Sequence, residues 1–177
     1  MAINLTNGQK AERKLLVTVI EFNDGENDIK EILGTRTEDS SIEFNPDIAT
    51  ITDIRGITYT DVNKVEATQS FDPFFCLGGS KLFVKLRDIY NRAAWSELGA
   101  FTTYVIEMYD GTETDGFVCT KETGCTVVAN SLGGDAYVNM PIEVHYSGNK
   151  DVGTAKAFKM AEDGSQSCTF TFTSSQA

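Results

Sequence analysis

The chain has 177 residues, 41% of them hydrophobic and 23% charged, a balance ordinary for a globular protein and a length that suits one domain with a full core. Fifteen Lys and Arg against 26 Asp and Glu leave a net charge of −11, which argues against tight nucleic-acid binding, because phosphates are neutralised by basic side chains. No run approaches ~20 consecutive apolar residues, so neither a membrane-spanning helix nor membrane binding is expected. Met1 to Gly8 lack the apolar core of a signal peptide, so Sec secretion is not expected either.

In chain order, residues 1–13 are polar and read as an N-terminal arm, and residues 14–177 as a single β domain. Residues 14–22 (Lys-Leu-Leu-Val-Thr-Val-Ile-Glu-Phe) read as a strand with apolar side chains on both faces. An acidic loop, 23–28, follows. Residues 39–74 read as one long hairpin whose tip lies near Ile54-Arg55-Gly56-Ile57. At its base Asp39, Ser41 and Glu43 alternate with Ile42 and Phe44. Glu66, Thr68 and Ser70 oppose Val65, Ala67 and Phe71 in the same way. A period of two marks a sheet with one packed face and one wet face.

Residues 80–93 read as the one amphipathic helix. Ser80 is its N-cap, and Leu82, Phe83, Leu86, Ile89, Tyr90 and Ala93 form its apolar stripe. Further strands are expected at 102–109, 116–120, 126–130, 137–146, 154–160 and 168–173, separated by glycines that include Gly111, Gly124 and Gly148. The fold expected is mainly β: a β-sandwich or partly closed barrel with one packed α-helix.

Catalytic and metal-binding signals are weak. His145 lies in the strand pattern Ile142-Glu143-Val144-His145-Tyr146; a catalytic histidine needs a nucleophile or an orienting carboxylate around it, and this lone histidine is read as a surface or structural residue. Gly78-Gly79-Ser80-Lys81 has the wrong spacing for a phosphate loop. Asp24, Glu26 and Asp28 mimic the start of a calcium loop, but Ile29 and Thr35 stand where Gly and Glu are needed. With 26 acids, some pair will meet a glycosidase spacing by accident. Trp95, Tyr104 and Tyr109 read as core or sheet residues rather than a sugar platform. Asn4-Leu5-Thr6 matches a glycosylation sequon, read as chance. Cys76, Cys119, Cys125 and Cys168 read as reduced, partly buried thiols, with a Cys119–Cys125 disulfide as the alternative. Neither a catalytic residue, a metal site nor a cofactor is expected, and the chain is not read as an enzyme.

Three segments carry a family resemblance: Ser41-Ile42-Glu43-Phe44-Asn45-Pro46-Asp47, Thr52-Asp53-Ile54-Arg55-Gly56, and Val65-Glu66-Ala67-Thr68-Gln69-Ser70-Phe71-Asp72-Pro73-Phe74. They are followed by the helix, by Met140-Pro141-Ile142-Glu143-Val144 and by Val152-Gly153-Thr154-Ala155. Together these resemble the major tail-tube proteins of long-tailed bacteriophages over about residues 14–174. The resemblance implies a virion tail subunit made and assembled in the host bacterial cytoplasm. Its homo-oligomer would be hexameric rings, each a ring-shaped β-barrel, stacked into a tube. Tape-measure, tail-terminator and distal-tail proteins would be its partners, and viral DNA would pass through without specific binding.

Two site expectations follow from the hairpin. Its tip, Asp53, Ile54, Arg55, Gly56, Ile57 and Thr58, is expected to make the ring-to-ring contact. Its wet base, Asp39, Ser41, Glu43, Glu66, Thr68 and Ser70, is expected to line the channel, where acids repel DNA and let it slide. Residues 93–120 contain neither Lys nor Arg and are expected to supply neighbouring lining strands. The alternatives are a tail terminator or contractile injection-device tube component, and, from another class, a β-sandwich carbohydrate-binding module.

Overall fold

The computed structural model describes residues 5–162 and 165–175. Residues 1–4 of the expected arm, with Asn4 of the sequon, and residues 176–177 at the end of the expected β domain lie outside them. The described chain is mainly β, with one α-helix. The elements are β1 (Leu16–Asn23), β2 (Asp28–Ile32), β3 (Ile42–Glu43), β4 (Pro46–Thr52), β5 (Thr58–Val65), β6 (Thr68–Phe71), α1 (Lys81–Arg92), β7 (Phe101–Thr112), β8 (Gly116–Ala129), β9 (Ile142–His145), β10 (Lys150–Met160) and β11 (Cys168–Ser174).

The architecture is a β-sandwich. One layer runs β2-β1-β7-β8, with β10 on the far side of β8 and β11 beyond it. The other runs β8-β9-β6-β3. All these pairings are antiparallel. β8 belongs to both layers: residues 116–125 pair with β7, and residues 126–129 pair with β9. Its corner lies at Gly124, φ +74°, beside a register shift in the β7–β8 ladder. A strand that changes layers needs such a bulge, and glycine adopts the left-handed conformation without steric cost.

Two cores result. Ile20, Phe22 and Phe101 of the first layer meet Phe71, Val127, Ile142 and Val144 of the second, with Leu82, Phe83, Leu86 and Ile89 of α1 in the same cluster. On the other face of the first layer, Val19, Tyr104, Ile106, Phe117, Cys119, Ala155 and Cys168 form a second cluster, covered partly by Phe158, Phe170 and Phe172. β1 feeds both cores by alternation, which explains its apolar character on both faces. The curl of β10–β11 brings Ser167 to a single bridge with Glu31 on the β2 edge, and the Ile32 amide donates to the Gln166 carbonyl. It stops short of a closed barrel.

The helix begins and ends where its sequence indicates. The Phe83 amide donates to Ser80 Oγ. Ala93, φ 53°, takes the left-handed C-cap, its amide donating to the Ile89 and Tyr90 carbonyls. A second N-terminal cap comes from 49 residues earlier in the chain. Glu31, 1% exposed, accepts from the Lys81 and Leu82 amides and from the Ser80 hydroxyl. A carboxylate there meets both the orphan amides and the positive end of the helix dipole.

Several sequence expectations need correction. The acidic loop expected at 23–28 is shorter at both ends: Asn23 closes β1 and Asp28 opens β2, an edge strand held by β1 in a stretch to which the sequence assigned no element. The runs 116–120 and 126–130 are one strand, because Gly124 bends the ladder instead of ending it. The run 137–146 contributes strand only at Ile142–His145. Phe44, expected on a packed face, is 61% exposed. Cys76, expected to be partly buried, is exposed, while the other three cysteines are buried and all four are free thiols.

Candidate assembly surface

The hairpin read at 39–74 is built in two stages. At its base β3 pairs with β6, Glu43 opposite Thr68. Asn45, φ 43°, then turns the chain out, its side-chain amide donating to the Glu66 carbonyl and Thr68 Oγ1. Beyond it β4 and β5 form a separate two-stranded sheet. With seven and eight residues at ~3.4 Å per residue, this arm is about 25 Å long.

Every residue of β5, and every residue of β4 except Ala49, is exposed. Ile48, Ile51, Val62 and Val65 are each more than half exposed, and Ile54 at the tip is fully so. Isolated two-stranded hairpins are marginal in water, and exposed apolar rows on a free arm mark an interaction surface.

The tip itself is rigidly made. The Asp53 amide donates to the Ile57 carbonyl, and the Gly56 amide to the Asp53 carbonyl. Asp53 Oδ1 accepts from the Arg55 and Ile57 amides at 2.8 and 3.0 Å. Arg55 closes on Asp53 Oδ2 at 3.1 Å and reaches the Tyr59 hydroxyl. These bonds, the Ile57 amide first, hold the Asp53 carboxyl below its ordinary pKa. Gly56 takes φ +77°, where a β-carbon would be strained. Of the six tip residues, Asp53 turns inward to organise the loop and Ile54 points into solvent.

At the base, Asp39, Ser41, Glu43, Glu66 and Ser70 are exposed and Thr68 is half-buried. Glu66 pairs with Lys64 at 2.8 Å. The interleaved Ala67, Gln69 and Phe71 are buried. Register adds residues that alternation along one strand could not supply. Thr68 stands opposite His145, and Ser70 opposite Glu143, on β9. Thr126 and Val128 of β8 continue the same rows. The wet face is therefore a cross-strand array, Glu43–Thr68–His145–Thr126 beside Ser70–Glu143–Val128. His145 Nε2 lies 3.5 Å from Glu143 Oε1. The stretch 93–120, expected beside this base, instead places β7 in the other layer between β1 and β8. The strands that flank β6 are β3 on one side and β9 on the other. Glu107 of β7 faces into the mouth of the sandwich, with Arg13, Phe44, Glu122 and Lys150.

The base is anchored through a buried polar network. Gln69, 1% exposed, accepts from the Thr18 hydroxyl at 3.1 Å and the Tyr146 hydroxyl at 2.6 Å, and donates to Ser40 Oγ at 3.0 Å. The Ser40 carbonyl accepts from the Arg13 guanidinium. Both layers and the chain entering the hairpin are thus tied together where the arm leaves the body.

Elsewhere, Asp24 Oδ1 accepts from the Glu26 and Asn27 amides, so the acidic loop is a hydrogen-bonded turn. Among the described residues there is no group of three or more His, Cys, Asp or Glu placed to hold a metal ion. Tyr104 is core, while Trp95 is exposed and meets Tyr90 edge-on.

The fold and this surface define a mainly β sandwich with a projecting apolar hairpin. No protein-family model matches the sequence, and no curated protein matches it. Among solved structures, a chain of the cryo-EM structure of the anti-feeding prophage (AFP) baseplate, 6-fold symmetrised, is similar with TM-score 0.46 at 12% identity, over 84% of this chain and 97% of that chain. A likeness this slight assigns neither family nor activity.

Proposed function

We propose that this chain is a structural subunit of a phage-tail tube, polymerising as stacked hexameric rings around a channel that conducts viral DNA, and that it has no catalytic role. The observation that carries the reading is the β4–β5 arm. It leaves the sandwich with both faces in water and presents Ile48, Ile51, Ile54, Val62 and Val65 to solvent. A body that already buries two cores gains nothing from such an arm by itself. A partner covering it recovers about 25 cal/mol for each Å² of apolar surface removed from water. The acidic balance, −11 overall, suits a conduit that must not hold phosphates. In this reading the tip residues 53–58 make the ring-to-ring contact, and the wet face around Glu43 and Glu66 lines the channel. The site sits in the virion tail, assembled in the bacterial cytoplasm, beside tape-measure, terminator and distal-tail partners.

Negative-stain electron microscopy of the concentrated protein tests the reading. Hollow tubes or rings of uniform diameter are expected, and deletion of residues 53–58 is expected to leave isolated rings or monomers. Tubes of normal length from the deletion variant place the stacking contact elsewhere. A wild-type protein that stays monomeric at all concentrations favours a tail terminator or a binding module.

A further inference from the structure

We infer that the hairpin of one copy seats its Ile51–Tyr59 face, with Asp61, in the apolar recess formed by Cys76, Leu132, Tyr137 and Val138 beside Arg87 of the next copy. The inference rests on the stacking role proposed above and names the surface that receives the arm.

The first observation is position. β6 and β9 run the length of the second layer. At one end Thr68 and His145 pair, next to the foot of the hairpin. At the other end Phe71 pairs with Ile142. The two chains then continue side by side, the Met140 amide donating to the Phe74 carbonyl and the Cys76 amide to the Val138 carbonyl. The recess is formed there, at the end opposite the arm. A copy displaced along the strand direction brings one feature to the other.

The second observation is surface chemistry. Leu132, Tyr137 and Val138 are 59%, 73% and 53% exposed, with Tyr137 edge-on to Phe75. They line an open recess of about 590 Å³ together with Arg87. On the arm, Ile51 stands opposite Tyr59, and Ala49 opposite Asp61. This face is apolar toward the tip and carries its carboxylate one pair further back. The opposite face, Thr52/Thr58, Thr50/Thr60 and Ile48/Val62, has no charge to meet a guanidinium.

The third observation is unspent charge. Arg87 and Asp61 are both exposed, and neither forms an ion pair among the described residues. Neighbouring helix residues do: Lys85 and Arg92 pair with Glu97 and Asp88. Opposite charges at the rim of an apolar contact fix its register and partner. The contact joins two different surfaces, so it propagates as a fibre and does not close on itself in pairs.

The test uses the exposed native thiol. Ile54→Cys places a second thiol at the arm's tip, and a short bis-maleimide is applied to the assembled protein before a denaturing gel. Each chain then carries one donor and one acceptor, so a ladder of covalent multimers is expected. With Cys76→Ser added, the ladder is expected to vanish. Independently, Arg87→Glu is expected to raise the critical concentration for assembly about tenfold, equivalent to ~1.4 kcal/mol, and Asp61→Arg in the same chain to restore it. Absence of a ladder, in tubes and in concentrated protein alike, overturns the inference, as does Arg87→Glu assembling like wild type. If deletion of residues 53–58 still blocks stacking while both these tests fail, the stacking role stands and only this receiving surface is wrong.

Discussion

Thr18 of β1 donates its hydroxyl to Oε1 of Gln69 on β6 at 3.1 Å, a buried bond between the two layers at the foot of the projecting hairpin. Gln69 serves Tyr146 and Ser40 as well, so its side chain is the common partner of three hydroxyls. A Gln69→Leu variant keeps the bulk and abandons all three. It is expected to cost about 2–4 kcal/mol, since buried polar groups left unpaired lose their full solvation. Urea unfolding checks this, and an unchanged midpoint would show that the network contributes nothing.

Glu31 joins the β2 edge to the first turn of α1. Glu31→Ala is expected to destabilise by about 2 kcal/mol, because it leaves the Lys81 and Leu82 amides and the Ser80 hydroxyl without their acceptor. Burial holds the Glu31 carboxyl above its ordinary value of 4.5, against the pull of the amide bonds. With the folded pKa raised, the protonated form is favoured on folding. That contribution is complete below pH 4.5 and is lost as pH rises through the folded pKa. Denaturation midpoints across this window should fall in the wild type and stay level, as far as this group is concerned, in Glu31→Gln.

The thiols should separate cleanly. Burial pushes Cys119 and Cys168 up to about 12, and thiolate is the reactive form. Cys125 is fully buried, and its Sγ lies 3.1 Å from Thr103 Oγ1. A maleimide under native conditions is therefore expected to label Cys76 alone, and all four cysteines after unfolding in urea. Intact-mass measurement reads the difference, and a second native label would place another thiol in reach of solvent.

The channel assignment makes its own prediction. Charge reversal at Glu43 and Glu66 adds basic side chains to a face already holding His145 and Lys64. Tubes should form normally, but DNA ejection should slow, because each phosphate contact raises affinity in a salt-dependent way. Real-time ejection assays at two ionic strengths check this; normal rates at low salt would take this face out of the lumen.

The sequence by itself determined the mainly β class, the place and N-cap of the helix, the two-sided strand β1 and the existence of a long hairpin around Arg55-Gly56. Each is a local signal: a period of two or 3.6, a Ser at an N-cap, a turn that needs glycine. What the tertiary structure decided depends on contacts between distant residues, which leave no local trace. Asp28 reads as the end of an acidic loop and residues 29–32 carry no strand signal of their own, yet Asp28–Ile32 is a strand because β1 offers it a ladder. Gly124 reads as a break but serves as the corner where β8 changes layers. Glu143 and His145 join the wet face only through the β6–β9 register. Phe44 and Ile48 look like core by residue type, yet stand in water, because the arm leaves the sandwich and nothing in one chain covers it. Alternation says which residues share a face; only packing says which face meets solvent.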